Sequence, residues 1–208
     1  MQKAVENPDR IRIEQRWTSD VVYNLRKENL KKSMRRIFPW CILQEYFNTC
    51  DILPMLALTL MDIFPGTRIA SISANKEIQD PTFVPALKFF LEQLPAVKYK
   101  EEDFCVEYSS VPGIPPSGWE IGSTRNVGFL EGFYSHFFRD KNGEVVFAPL
   151  ILIFNNPHEF EDELLSECLK ICCPDIMFTI FPRGEYTGIF FETFHPNKNR
   201  HWVFAGKI

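Results

Sequence analysis

Three side chains in this chain could act as nucleophile, base or acid: Cys50, His136 and Glu131. Cys50 stands just before Asp51, which suits the cap of an apolar helix over 52–64, and a helix N-terminus stabilises a thiolate. His136 would be its base. Glu131 sits among apolar residues on an expected strand, where burial would raise its pKa and suit it to proton transfer. A Cys–His enzyme also needs an oxyanion hole, and no spacing ties these three residues together. A lone cysteine beside apolar residues more often packs than reacts. A small hydrolase or transferase using this Cys/His/Glu set is therefore the alternative reading.

Other chemistry is thinly represented. Cys168 and Cys172 are one helical turn apart on an expected buried face, which is a packing pattern rather than half of a zinc site. His195 and His201 lack a nearby cysteine or acid at ligand spacing, so no metal is expected. Gly113–Gly118 has no lysine and does not join a strand to a helix, so there is no glycine-rich phosphate loop and no cofactor is expected.

Binding residues are better represented. Six of the eleven residues from 26 to 36 are basic. On a helix over 20–38, Lys31, Lys32, Arg35 and Arg36 would form a cationic stripe for nucleic acid or another polyanion. The bland reading is a solvated helix face. Residues 109–128 hold three prolines and four glycines around Trp119, Glu120 and Arg125. A structureless connection that long is uncommon unless it binds something, and Trp and Arg are frequent interface anchors. The leading reading is a non-enzymatic protein-binding or regulatory module acting through this loop and the adjacent sheet surface. Its competitor is a loop that packs down with Trp119 as a plug.

The elements that must position these residues centre on Phe129–Phe154. Two apolar and aromatic runs flank Asp140-Lys141-Asn142-Gly143, and Asn-Gly supplies the positive φ of a tight hairpin. The run 145–154 is apolar at both parities, which places it inside a sheet covered on both sides, with Pro149 marking a bulge or a change of neighbours. Helices are expected over 20–38, 40–48, 52–64, 81–94 and 157–172, the last opened by Asn156-Pro157. Strands are expected over 68–74, 104–108 and 176–181. A final hairpin pairs 186–194 with 201–205. Tight turns make neighbours antiparallel, so the expected class is α+β: an N-terminal helical layer on a largely antiparallel sheet built from two hairpins with an intervening helix.

Composition bounds the rest. The 208 residues, 45% hydrophobic and 14% aromatic, suffice for one packed domain over 17–208 behind a polar arm over 1–16. Residues 1–50 carry ten Lys/Arg against six Asp/Glu, leaving the remainder strongly acidic within a net charge of −4. The longest apolar stretch, 52–64, is shorter than the roughly 20 residues a membrane span needs. No secretory signal is evident, so six reduced cysteines in a cytoplasmic protein are expected.

Overall fold

The structure, a computed structural model, describes residues 38–44, 49–74, 85, 88–89, 97–100, 105–109, 111–182, 186–194 and 201–205. The basic segment with Lys31, Lys32, Arg35 and Arg36 lies outside them, as does the polar arm. Of the helix expected over 81–94, only 85 and 88–89 are described, and these are helical.

In chain order the elements are β1 (Phe38–Gln44), α1 (Thr49–Ile63), β2 (Arg68–Ser73), β3 (Val97–Lys100), β4 (Cys105–Tyr108), β5 (Ser117–Ser123), β6 (His136–Arg139), β7 (Val145–Ala148), β8 (Leu150–Asn155), α2 (Glu163–Ile171), β9 (Ile176–Pro182), α3 (Ile189–Phe194) and β10 (His201–Ala205). Eight strands make one sheet in the order β10-β1-β9-β8-β2-β5-β4-β3. All pairings from β10 to β5 are parallel. Only the β5–β4 and β4–β3 edge is antiparallel.

The largely antiparallel sheet under an N-terminal helical layer is therefore overturned. Parallel strands are covered on both faces and read as unbroken apolar runs, and β8 and β9 do so: all six residues of β8 are buried, as are the first six of β9. Two segments had their type exchanged. The expected helix over 40–48 gives way to β1 across Phe38–Gln44, and the expected strand over 186–194 carries α3. A short apolar run such as Trp40-Cys41-Ile42-Leu43 fits a buried strand and a buried helix equally well by periodicity.

The hairpin around Asp140 does form, but as a separate two-stranded ribbon of β6 and β7. The Asp140 carboxylate accepts the amides of Asn142 and Glu144, each at 2.8 Å, and Gly143 has φ +81°. Pro149 then hands the chain over from the ribbon to the main sheet. It has no N–H to give to a ladder, so the handover falls there without losing a hydrogen bond. The expected capping at Asn156 is replaced by a sharper device. Asn156 adopts a left-handed conformation (φ 52°, ψ 50°) that asparagine tolerates better than most residues. The chain then makes a 3₁₀ turn over Pro157–Glu159 before α2 begins at Glu163.

Two cores lie on opposite faces of the sheet. On one, Ile52, Leu53, Leu56 and Leu60 of α1 meet Ile69, Trp119, Ile151, Ile153 and Phe178. On the other, Leu164, Leu165 and Cys168 of α2 and Phe190 and Phe194 of α3 meet Ala70, Ile72, Leu152, Phe154 and Phe181. Each fully buried aliphatic side chain contributes roughly 1.5–3 kcal/mol. The result is a three-layer, doubly wound α/β arrangement of the kind that helices on both sides of a parallel sheet produce.

Candidate functional site

The winding of the sheet locates its crevice. From β1 the chain leaves through α1 onto one face, and from the adjacent β9 it leaves through α3 onto the other. Two neighbouring strands whose connections diverge in this way leave a gap outside their carboxyl ends, which is where open α/β sheets bind ligands. Here that gap lies between Gln44 and Pro182, which are register partners.

Three features converge on this edge. The helix α1 starts at Thr49, just beyond the carboxyl end of β1, and ends at Ile63 before the amino end of β2. It therefore runs back along the parallel strands with its N-terminus, the end favouring anions, at the crevice edge. Two strands further along, β8 and β2 end in a buried polar pair. The Asn155 amide donates to Ser73 Oγ at 3.3 Å, and both residues are fully buried. The backbone beyond them is held too: Asn156 N donates to Ile180 O at 2.9 Å and Thr124 N to Ser73 O at 3.1 Å. On the other side of the turn, the His158 ring lies 5.0 Å from Tyr186 and 6.4 Å from Phe181, centroid to centroid. Its Nε2 is 3.7 Å from the Glu159 carboxylate. The edge thus presents the exposed His158 imidazole beside aromatic faces, above a buried amide–hydroxyl pair.

The residues singled out from the sequence fare differently. Trp119 does not belong to a loop. It lies within β5, has no exposed surface, and its Nε1 donates to Ser71 Oγ at 2.7 Å. A fully enclosed indole cannot reach a partner, so the binding module built on 109–128 is overturned. Glu120 is half-buried at the next position of the same strand, and Arg125 is exposed past its carboxyl end. Glu131 is exposed and closes the 3₁₀ turn over Val127–Leu130. His136 lies in the ribbon between Tyr134 at 4.4 Å and Phe138 at 5.5 Å.

The proposed Cys50–His136 pair is separated by topology. Cys50 is the second residue of α1, beyond the carboxyl end of β1. His136 pairs with Ala148, just before the amino end of β8. Parallel strands place these at opposite edges of a sheet about 20 Å deep at six residues and ~3.3 Å each.

The buried thiols are equally unsuited to nucleophilic work. Burial pushes Cys168 up to about 12 and Cys172 up to about 11. Cys172 Sγ donates to Cys168 O at 3.3 Å, which also favours the protonated form. Labelling with iodoacetamide near pH 8 should modify exposed Cys173 at least ~100-fold faster than Cys168 or Cys172, read by peptide mass spectrometry. Comparable rates would contradict the burial. Both folded-state values exceed the ordinary value of 9. Their contribution to stability is therefore fully present below about pH 9 and is lost as pH climbs toward 12.

Comparison with known proteins agrees with the winding. The large terminase from a thermophilic bacteriophage is similar over 80% of this chain, with a TM-score of 0.51 at 12% identity. A structure of that terminase in complex with ADP is similar over 82%, also at 0.51, with 13% identity. The chain spans 39% of the length of each. The large terminase ATPase domain of Thermus phage P74-26 is matched over 84% of this chain and 76% of its own, at a TM-score of 0.46 and 14% identity. No family model matches the chain, and no curated protein matches it in sequence. At these identities the likeness is one of fold. Among the described residues no helix is long and apolar enough to cross a membrane.

Sequence reasoning passed over Ser73, Asn155 and Asn156. A signal was available: the run Leu150–Phe154 is apolar at both parities and stops at Asn-Asn. Read as a parallel strand, it puts those amides on the ligand side of the sheet.

Proposed function

We propose that this chain is a nucleotide-binding domain of the ATPase type, holding its ligand outside the carboxyl ends of β1, β9 and β8. The observation that carries this reading is the divergence of the β1 and β9 connections, with the N-terminus of α1 at the same edge. A nucleotide combines an aromatic base with an anionic tail. The aromatic group of His158, Phe181 and Tyr186 suits the base, and the positive end of α1 suits the phosphates. The buried Asn155–Ser73 pair ties the ends of β8 and β2 together and so fixes the floor of the crevice. The ADP complex of the terminase with the same fold supports the choice of an adenine nucleotide.

Calorimetric titration with ADP tests the reading. Saturable binding is expected with a dissociation constant below about 1 mM, or about −4 kcal/mol. Asn155→Leu keeps the volume and removes the amide, and should weaken binding by about tenfold or more. Absence of saturable binding in the unmodified chain sinks the proposal.

A further inference from the structure

The aromatic wall of the crevice comes from two separate stretches of chain. His158 belongs to the 3₁₀ turn after β8, and Tyr186 to the return from β9 into α3. Their rings meet at 5.0 Å, and Tyr186 also lies 5.2 Å from Phe181. A nucleobase stacks on this wall while both stretches are held in place, so what fastens them together bears on binding.

Asp162 fastens them. It occupies the N-cap position of α2, yet its carboxylate makes no capping bond to that helix. It reaches across instead, and its Oδ1 accepts the amide of Ile189, the first residue of α3, at 3.1 Å. Asp162 follows His158 by four residues and Ile189 follows Tyr186 by three, so this bond closes the base of a clasp whose jaws are the two rings. Between them, Phe160 and Phe190 pack edge to face at 5.5 Å. Gly188 is shaped for the same contact. Its φ is +102°, and a Cβ there would stand 3.2 Å from Asp162 Oδ1. Backbone angle and close approach both call for glycine at this position.

We infer that Asp162 is a positioning residue for the nucleobase: by capping α3 from the start of α2 it holds Tyr186 against His158. This rests on the nucleotide reading above and deepens it, because the latch governs the base end of the ligand and not the phosphate end at α1.

The full chain and three variants are titrated with ADP and, separately, with inorganic pyrophosphate. Gly188→Ala should weaken ADP by about tenfold and Asp162→Ala by about threefold or more, because each lowers the fraction of chains with the wall assembled. Asp162→Asn keeps an acceptor oxygen at Oδ1 and should bind ADP within about twofold of the parent. Pyrophosphate has no base to stack and should bind all four proteins within about twofold of one another. Where pyrophosphate binds the parent too weakly to measure, the contrast between Asp162→Asn and Asp162→Ala decides. Equal losses for ADP and pyrophosphate overturn the inference, as do unchanged ADP binding in Gly188→Ala and Asp162→Ala, or an Asp162→Asn loss as large as that of Asp162→Ala. Each of these leaves the nucleotide reading in place. If the parent does not bind ADP, that reading fails and the inference falls with it.

Discussion

Trp119→Ala is expected to cost about 3–5 kcal/mol of folding stability, the usual range for emptying a buried aromatic site. The indole has no exposed surface and fills the layer between β5 and α1. Its loss also removes the hydrogen bond to Ser71, whose hydroxyl is fully buried. For a chain of this length each kcal/mol moves the melting temperature by about 2–4 °C, so a fall of roughly 6–20 °C is predicted. Trp119→Phe keeps most of the ring and loses the N–H donor, and should cost only about 1–2 kcal/mol. Thermal denaturation of both variants checks this. A Trp119→Ala protein that melts within a degree or two of the parent would return Trp119 to the surface as a recognition residue.

Phe154→Ala should be as damaging, through the opposite face of the sheet. Phe154 is fully buried near the end of β8, with Phe190 at 5.1 Å and Phe194 at 6.3 Å in edge-to-face contact. Removing the ring takes away a contact that both Phe190 and Phe194 of α3 make, again at about 3–5 kcal/mol. The two aromatic sites share no partners, so their costs should add to within about 0.5 kcal/mol. The double variant would then lose much or all of the 5–15 kcal/mol typical of a domain. Urea denaturation of the two single variants and the double gives the cycle. A cost for Phe154→Ala below about 1 kcal/mol would mean that α3 does not depend on this ring.

What was legible in the sequence was local. The Asn-Gly ribbon, the burial of the run after Pro149, the apolar helix ending before Pro65-Gly66 and the inward side of 164–172 all follow from composition and period. What failed was the pairing. No local signal places β1 beside β9, because their register partners Phe38 and Ile176 lie far apart in the chain. The hairpin expected between 186–194 and 201–205 is instead a helical crossover that brings β10 parallel to β1.

Strand β5 was hidden for another reason. Gly118 and Gly122 resemble loop residues, yet they lie inside a strand because the Arg68 guanidinium and the Phe129 ring occupy the space a Cβ would need. For α3 the clue was present. Phe190 and Phe194 are four residues apart and both are buried, a helical spacing that the aromatic, β-prone composition of 189–194 obscured. The crevice depends on the strand order and could not be found before it. Asn155 and Ser73 are unremarkable until parallel pairing brings the two strand ends together.

The seat of β1 between β9 and β10 has a consequence for synthesis on the ribosome. Phe38–Gln44 leaves the exit tunnel well before its strand neighbours among the described residues, which are about 140 (β9) and 160 (β10) residues further along the message. At ~5–20 residues per second they follow roughly 7–32 s later. Until then this apolar segment has no lattice to join, and a chain stopped before Ile176 would never give it one. The newborn protein must shelter β1 until β9 and β10 arrive.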